Sequence, residues 1–285
     1  MSTSLQRTYR NLRVGIAGTV VLIGIAVGVT ASRVGTLPSI SAYYYTPARN
    51  VFVAALVAAA IAIIALSGRG IQRALLDAAG LFAPLVALVP TPIRPGTVPG
   101  YENACGNATS CVPAEALADI DVGVATYLIA GALTIVVAVV ATLVAGGEAF
   151  SRSVSSLVIA CAVLLAVAVF WLFFRDAFVA TAHLASAVAF FGLIAVVAVA
   201  NAFDRSPSAM PSRWRGALYW IIAVAMTVDI VIMVAVVGSG DPGDGAFPPV
   251  LVGETIALLL FAVFWVVQSI EKWGAADPSI AAPRE

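Results

Sequence analysis

VSSLVIACAVLLAVAVFWLFFRDAFVATAHLASAVAFFGLIAVVAVAN, running from Val154 to Asn201, holds one glycine (Gly192), no proline and a single charged break, Arg175-Asp176. As one straight helix it would be about 72 Å long at 1.5 Å per residue. That is more than twice the roughly 30 Å of a bilayer core. A tight turn at Arg175-Asp176 resolves the conflict and makes the stretch two antiparallel spans. Working outward, apolar runs of similar length give spans at 14–32, 51–67, 72–90, 122–146, 154–174, 177–201, 216–238 and 249–270. The expected fold is an all-α, polytopic transmembrane bundle of eight spans. It forms a single domain, 1–274, followed by a disordered tail, 275–285.

Composition agrees. Hydrophobic residues make up 61% of the 285 and charged residues only 11%, against about a quarter charged in soluble domains. The mean hydropathy is +1.03. Basic and acidic residues balance at 15 each, so there is no nucleic-acid footprint. The first run follows Arg7, Arg10 and Arg13 but is longer than a signal-peptide core, and reads as a retained span. With the N-terminus inside, the inner segments hold Arg7, Arg10, Arg13, Arg69, Arg73, Arg152, Arg205, Arg213, Arg215, Lys272 and Arg284. The outer segments hold Arg33, Arg49, Arg94 and Arg175. Eleven of the 15 basic residues against four is a positive-inside bias that puts both termini in the cytoplasm.

The loop 91–121, rich in Pro and Gly, then lies on the extracytoplasmic side. It carries Cys105 and Cys111, where oxidation is permitted, and a disulfide between them is expected. Cys161 falls in the fifth span. Gly15, Gly18, Gly24 and Gly28 in the first span read as a close helix contact, and most of the tryptophans as interfacial anchors.

Ionisable residues inside spans are costly and are functional candidates by default. There are four: Asp77, His183, Asp229 and Glu254. Asp77 has Arg73 one turn away as a local partner. His183, Asp229 and Glu254 lie roughly 9, 13 and 8 Å below the outer surface by helical rise. Facing the same side is the segment Ser39-Ile-Ser-Ala-Tyr-Tyr-Tyr-Thr-Pro-Ala-Arg49, polar and aromatic where a plain connector would be small and flexible. The expectation is an outward-opening pocket of His183, Asp229 and Glu254, with Ser39, Ser41, Tyr43, Tyr44, Tyr45, Arg49 and Asp176 around its mouth. The alternative is structural pairing of the same groups, with Arg49 on Asp176 or Glu254 and His183 on a carboxylate.

A hydroxyl, an imidazole and a carboxylate are also the ingredients of hydrolysis, which keeps His183, Asp229 and Glu254 as catalytic candidates, although no Gly-x-Ser-x-Gly is present. The chain has a single histidine, and catalytic zinc sites use two or three, so no metal is expected. No cofactor is expected either: Walker, dinucleotide and haem signatures are missing, and no span has a lysine for a retinal Schiff base.

The string Ser39-Ile-Ser-x-Tyr-Tyr-x-x-x-x-Arg49-x-Val-Phe-Val resembles a family of functionally uncharacterised bacterial multi-spanning membrane proteins. The resemblance continues in Asp77-x-x-Gly80-x-x-Ala83-x-x-Val86-Ala-Leu-x-Pro90-Thr, in His183-x-x-x-Ala187-x-x-Phe190-Phe, and in Glu254-x-Ile-Ala with Phe-x-x-x-Trp265. More distantly the chain is similar to Frag/DRAM/Sfk-type membrane proteins, a resemblance that implies lipid-related work. The resulting expectation is a bacterial plasma-membrane protein that binds or senses a lipid or small amphiphile from the outer side. Tyrosine suits the membrane interface and Arg49 an anionic headgroup. A lipid-modifying enzyme and a proton-coupled transporter are the alternatives.

Overall fold

The computed structural model describes residues 4–66, 70–204, 210–239 and 248–273. The expected disordered tail at 275–285 lies outside the described residues. Among the described residues eight long helices follow one another: α1 (Ser4–Val34), α2 (Arg49–Leu66), α3 (Gly70–Leu88), α4 (Ala114–Val144), α5 (Gly147–Phe173), α6 (Arg175–Ala202), α7 (Ser212–Ser239) and α8 (Pro249–Glu271). A one-turn 3₁₀ helix, Ser41–Tyr45, lies between α1 and α2. Among the described residues the only extended pairing is an isolated antiparallel bridge between Ile93 and Cys111.

Seven of the helices, all but α3, are long and apolar enough to cross a membrane, and the chain is a multi-pass membrane protein. Large apolar side chains on α4 such as Ile129, Leu133 and Val137 are more than 60% exposed. In water that would be an aggregating surface; in lipid it is an ordinary one. Free Cys161 lies on such an exposed face of α5.

The turn expected at Arg175-Asp176 is present, one residue earlier. Phe174 alone leaves helical geometry (φ −133°, ψ 45°) between α5 and α6. The chain reverses there, because Phe170 and Phe178, on either side of the break, stack edge to face at 5.5 Å. At the opposite end of the bundle the Arg10 guanidinium lies 4.5 Å over the Trp273 ring. α1 therefore begins on the side where α8 ends.

The central core joins α1, α2, α3, α6, α7 and α8 through Ile16, Ile63, Leu76, Ile194, Tyr219, Met226 and Phe264. Trp265 belongs to this core and is fully buried, not an interfacial anchor. Since lipid is as apolar as these side chains, close packing and polar contacts must hold the helices together. The expected close contact through Gly15, Gly18, Gly24 and Gly28 is absent: a Cβ at any of them would meet nothing within 4 Å. Tight glycine contacts occur elsewhere, one of them at Gly80 of α3, where a Cβ would come within 2.5 Å of the Ile64 side chain and 3.2 Å of the Ala60 carbonyl oxygen on α2.

α4 begins at Ala114, about two turns before the expected 122. Asp119 and Asp121, read from sequence as loop, are thus helical and face basic partners. Asp121 takes a two-pronged contact from Arg175, Nη2–Oδ2 2.7 Å, and accepts from Trp171 Nε1 at 3.2 Å. The shortened loop is closed by the expected Cys105–Cys111 disulfide.

Candidate functional site

α1 ends at Gly35, whose positive φ of 85° is the usual left-handed exit from a helix. The chain then crosses the bundle as Leu37–Tyr45. Ser39 Oγ accepts the Ala42 N–H at 2.9 Å. Tyr43 is buried, and its phenol oxygen accepts the Leu37 N–H at 3.2 Å. Tyr45 donates to the Thr91 carbonyl at 2.8 Å. Burial pushes the Tyr44 and Tyr45 phenols above their ordinary value, so both remain neutral donors.

This segment is strapped to α8 in both directions. The Leu251 N–H, one of the orphan donors of the first turn of α8, donates to the Pro38 carbonyl at 3.1 Å. Glu254, one turn further on, returns the contact. Its Oε2 accepts the N–H groups of Ile40 and Ser41, the latter at 3.1 Å, and its Oε1 is bonded to Ser41 Oγ. Ser41 Oγ in turn lies 2.8 Å from His183 Nε2 on α6. The other ring nitrogen, Nδ1, lies 2.8 Å from the Val89 carbonyl. Val89 directly follows α3, which stops ahead of Pro90, so its carbonyl is a helix-end acceptor without an intrahelical partner. A carbonyl only accepts, so Nδ1 carries a proton.

His183 and Glu254 are thus brought together, with Ser41 between them. Asp229 is not part of the group: it is buried on α7, and its Oδ2 has no hydrogen-bond partner among the described residues. The order carboxylate, hydroxyl, imidazole, carbonyl also differs from a hydrolytic triad, which places the imidazole in the middle.

Arg49 pairs with neither Asp176 nor Glu254. Its Nη1 donates to Asp119 Oδ2 at 2.9 Å, and its guanidinium lies 4.3 Å over the Tyr44 ring. Both members of the ion pair are partly exposed, 37% and 51%. Below them runs a groove of about 450 Å³ lined by Asn50, Val53, Ala54 and Val57 of α2 and by Ala87 and Leu88 of α3. Asp176 lines a separate depression of about 250 Å³ with Arg175, Pro92 and Val112. Asp77 makes the local contact expected of it, 3.5 Å from Arg73.

Sequence reasoning missed Asp119, placing it in the loop. Pro113 just before Ala114-Glu115 is the start signal that would have put it on the helix. It also missed a second polar knot at the far end. There Tyr219 donates to Glu271 Oε2 at 2.6 Å, Arg215 Nη1 approaches Glu271 Oε1 at 3.4 Å, and Lys272 lies 3.7 Å from Asp204. No group of three or more His, Cys, Asp or Glu placed to hold a metal exists among the described residues. Comparison with protein families, characterised proteins and solved structures gave no match, so the resemblance noted above rests on its quoted motifs.

Proposed function

We propose that this protein spans a bacterial plasma membrane eight times, with both termini in the cytoplasm, and binds a lipid or similar amphiphile on its extracytoplasmic side. α3 supplies the eighth crossing: at 19 residues it is about 28 Å long, close to the bilayer core. The positive-inside bias supports the orientation, and the disulfide supports an oxidising environment for the loop that carries it.

One observation carries the functional reading: a half-exposed Arg49–Asp119 pair stands at the head of an apolar lane between α2, α3 and α4. An exposed ion pair contributes about 0–1 kcal/mol, so a ligand can open it at little cost. A phosphate would take the guanidinium, and an ammonium would take the Asp119 carboxylate. The head this site fits is therefore zwitterionic, a narrower choice than the anionic one that Arg49 alone implies. From Arg49 to Val57 the lane runs about 12 Å along α2, enough to hold the upper part of an acyl chain.

The test is native mass spectrometry of gently extracted protein with identification of the retained lipid. Wild type is expected to retain an ethanolamine phospholipid. Arg49→Ala, which removes the head contact, and Ala54→Phe, which fills the lane from an exposed position, are each expected to lose it. Equal retention by all three proteins would refute the groove.

A further inference from the structure

The hydrogen bonds around Ser41 can be counted proton by proton. The Nδ1 proton of His183 is committed to the Val89 carbonyl. Glu254 Oε2 is occupied by two amide N–H donors, so a carboxyl proton would sit on Oε1, facing Ser41. Two contacts remain, Oε1 to Oγ and Oγ to Nε2, and each needs one proton. Ser41 brings one. A carboxylate with a neutral ring brings no other, and one of the two close contacts would then be lone pair against lone pair.

We propose that Glu254 and His183 hold one shared proton through Ser41, forming a proton-relay site at the extracytoplasmic end of the bundle. In one arrangement the Glu254 carboxyl donates to Ser41 Oγ and the Ser41 hydroxyl donates to Nε2. In the other, the imidazolium Nε2–H donates to Oγ and the hydroxyl donates to the carboxylate. Concerted movement of two protons along the chain interconverts them, and the pair has zero net charge in both. A net charge of zero is what a membrane interior tolerates best. Glu254 is half-buried and His183 is 7% exposed, so the relay runs from an accessible edge to the interior between α6 and α8.

No ion pair among the described residues reaches either group. The other ionisable side chains of the surrounding elements are occupied or distant in sequence. Arg49 pairs with Asp119 and Arg175 with Asp121, and Tyr43 is bonded to the Leu37 N–H. Arg33 is in the last turn of α1, Asp176 lies about two turns before His183 on α6, and Asp229 is on α7. The outer half of α3 and the rest of α8 before Glu271 carry none. The relay does not depend on the lipid groove.

The chain has one histidine, so ¹⁵N-histidine labelling of the full-length protein in lipid bilayers reads His183 alone. Infrared spectroscopy reads the carboxyl in the same samples. At about pH 8 an isolated glutamate and histidine together hold no proton beyond the single N–H of the neutral ring. The relay predicts one here: either a protonated Nε2 or a protonated-carboxyl band, with Nδ1 protonated in both cases. Glu254→Gln should lose the carboxyl band and leave Nε2 unprotonated. Ser41→Thr, which keeps the hydroxyl, should retain the shared proton, and Ser41→Ala should lose it. A neutral ring with no protonated carboxyl in wild type overturns the proposal. So does an unprotonated Nδ1, or the same protonation of both ring and carboxyl in Ser41→Thr and Ser41→Ala.

Discussion

Glu254 and Asp229 are both carboxylates on the interior of the bundle, and their surroundings differ. Glu254 meets three donor groups on one short segment, whereas Asp229 Oδ2 meets none. Glu254→Ala strands those groups and should cost about 3 kcal/mol, read as a lower thermal midpoint in detergent. Glu254→Gln, which retains an acceptor for the two amides, should cost less. Asp229→Leu removes a buried polar group and should leave stability unchanged or raise it by about 1–3 kcal/mol; a large loss would mean that Asp229 has a structural partner. Tyr45 gives a pH prediction. Its folded-state value is raised by burial, so its contribution is complete below its unfolded value of about 10 and is lost as pH rises beyond that. Thermal midpoints should fall above about pH 10, and less steeply in Tyr45→Phe. At this scale the sequence singled out His183, Asp229 and Glu254 as ionisable groups within the spans, and missed the buried Arg215, Glu271 and Lys272. It could not say which of them meet, because the meeting depends on a 3₁₀ turn that carries Ser41 in from a segment more than 140 positions from His183.

Helices show where sequence pattern succeeds and where it fails. Apolar run length located all seven helices that are long and apolar enough to cross a membrane, since a bilayer sets the length of its spans. The α5–α6 reversal was legible because no single helix fits the bilayer, and Phe174 takes the break beside the only charged pair in the stretch. Glycine spacing misled. Four glycines on α1 have open space beside them, while the single Gly80 lies against α2, and composition cannot tell a contact face from a lipid face. Gly80→Ala must push Ile64 and the α2 backbone aside and should destabilise by about 1–3 kcal/mol. Gly18→Ala meets nothing and should be neutral or slightly stabilising through helix propensity. Paired thermal denaturation distinguishes the two. The early start of α4 was missed because acidic residues lower hydropathy where they also favour a helix N-terminus. That miss hid Asp119, and with it the head of the groove.

At the scale of the whole molecule the bundle has two polar ends and an apolar belt. One end is gathered by the Leu37–Tyr45 segment, which touches α3, α6 and α8. The other is gathered by Tyr219, Arg215, Glu271 and Lys272, with Arg10 over Trp273 nearby. Single cysteines placed at position 10 and in the loop at Gly96, in a background lacking the native cysteines, should react with impermeant reagents from opposite faces of the membrane. Lipid binding in the groove beside Arg49 has a direct test. A photoreactive ethanolamine phospholipid, incorporated with the protein into nanodiscs and mapped by peptide mass spectrometry, is expected to mark Asn50–Val57 and Leu88, and to lose that mark in Arg49→Ala. Adducts spread evenly along the exposed faces of α4 and α5, and unchanged in Arg49→Ala, would contradict it.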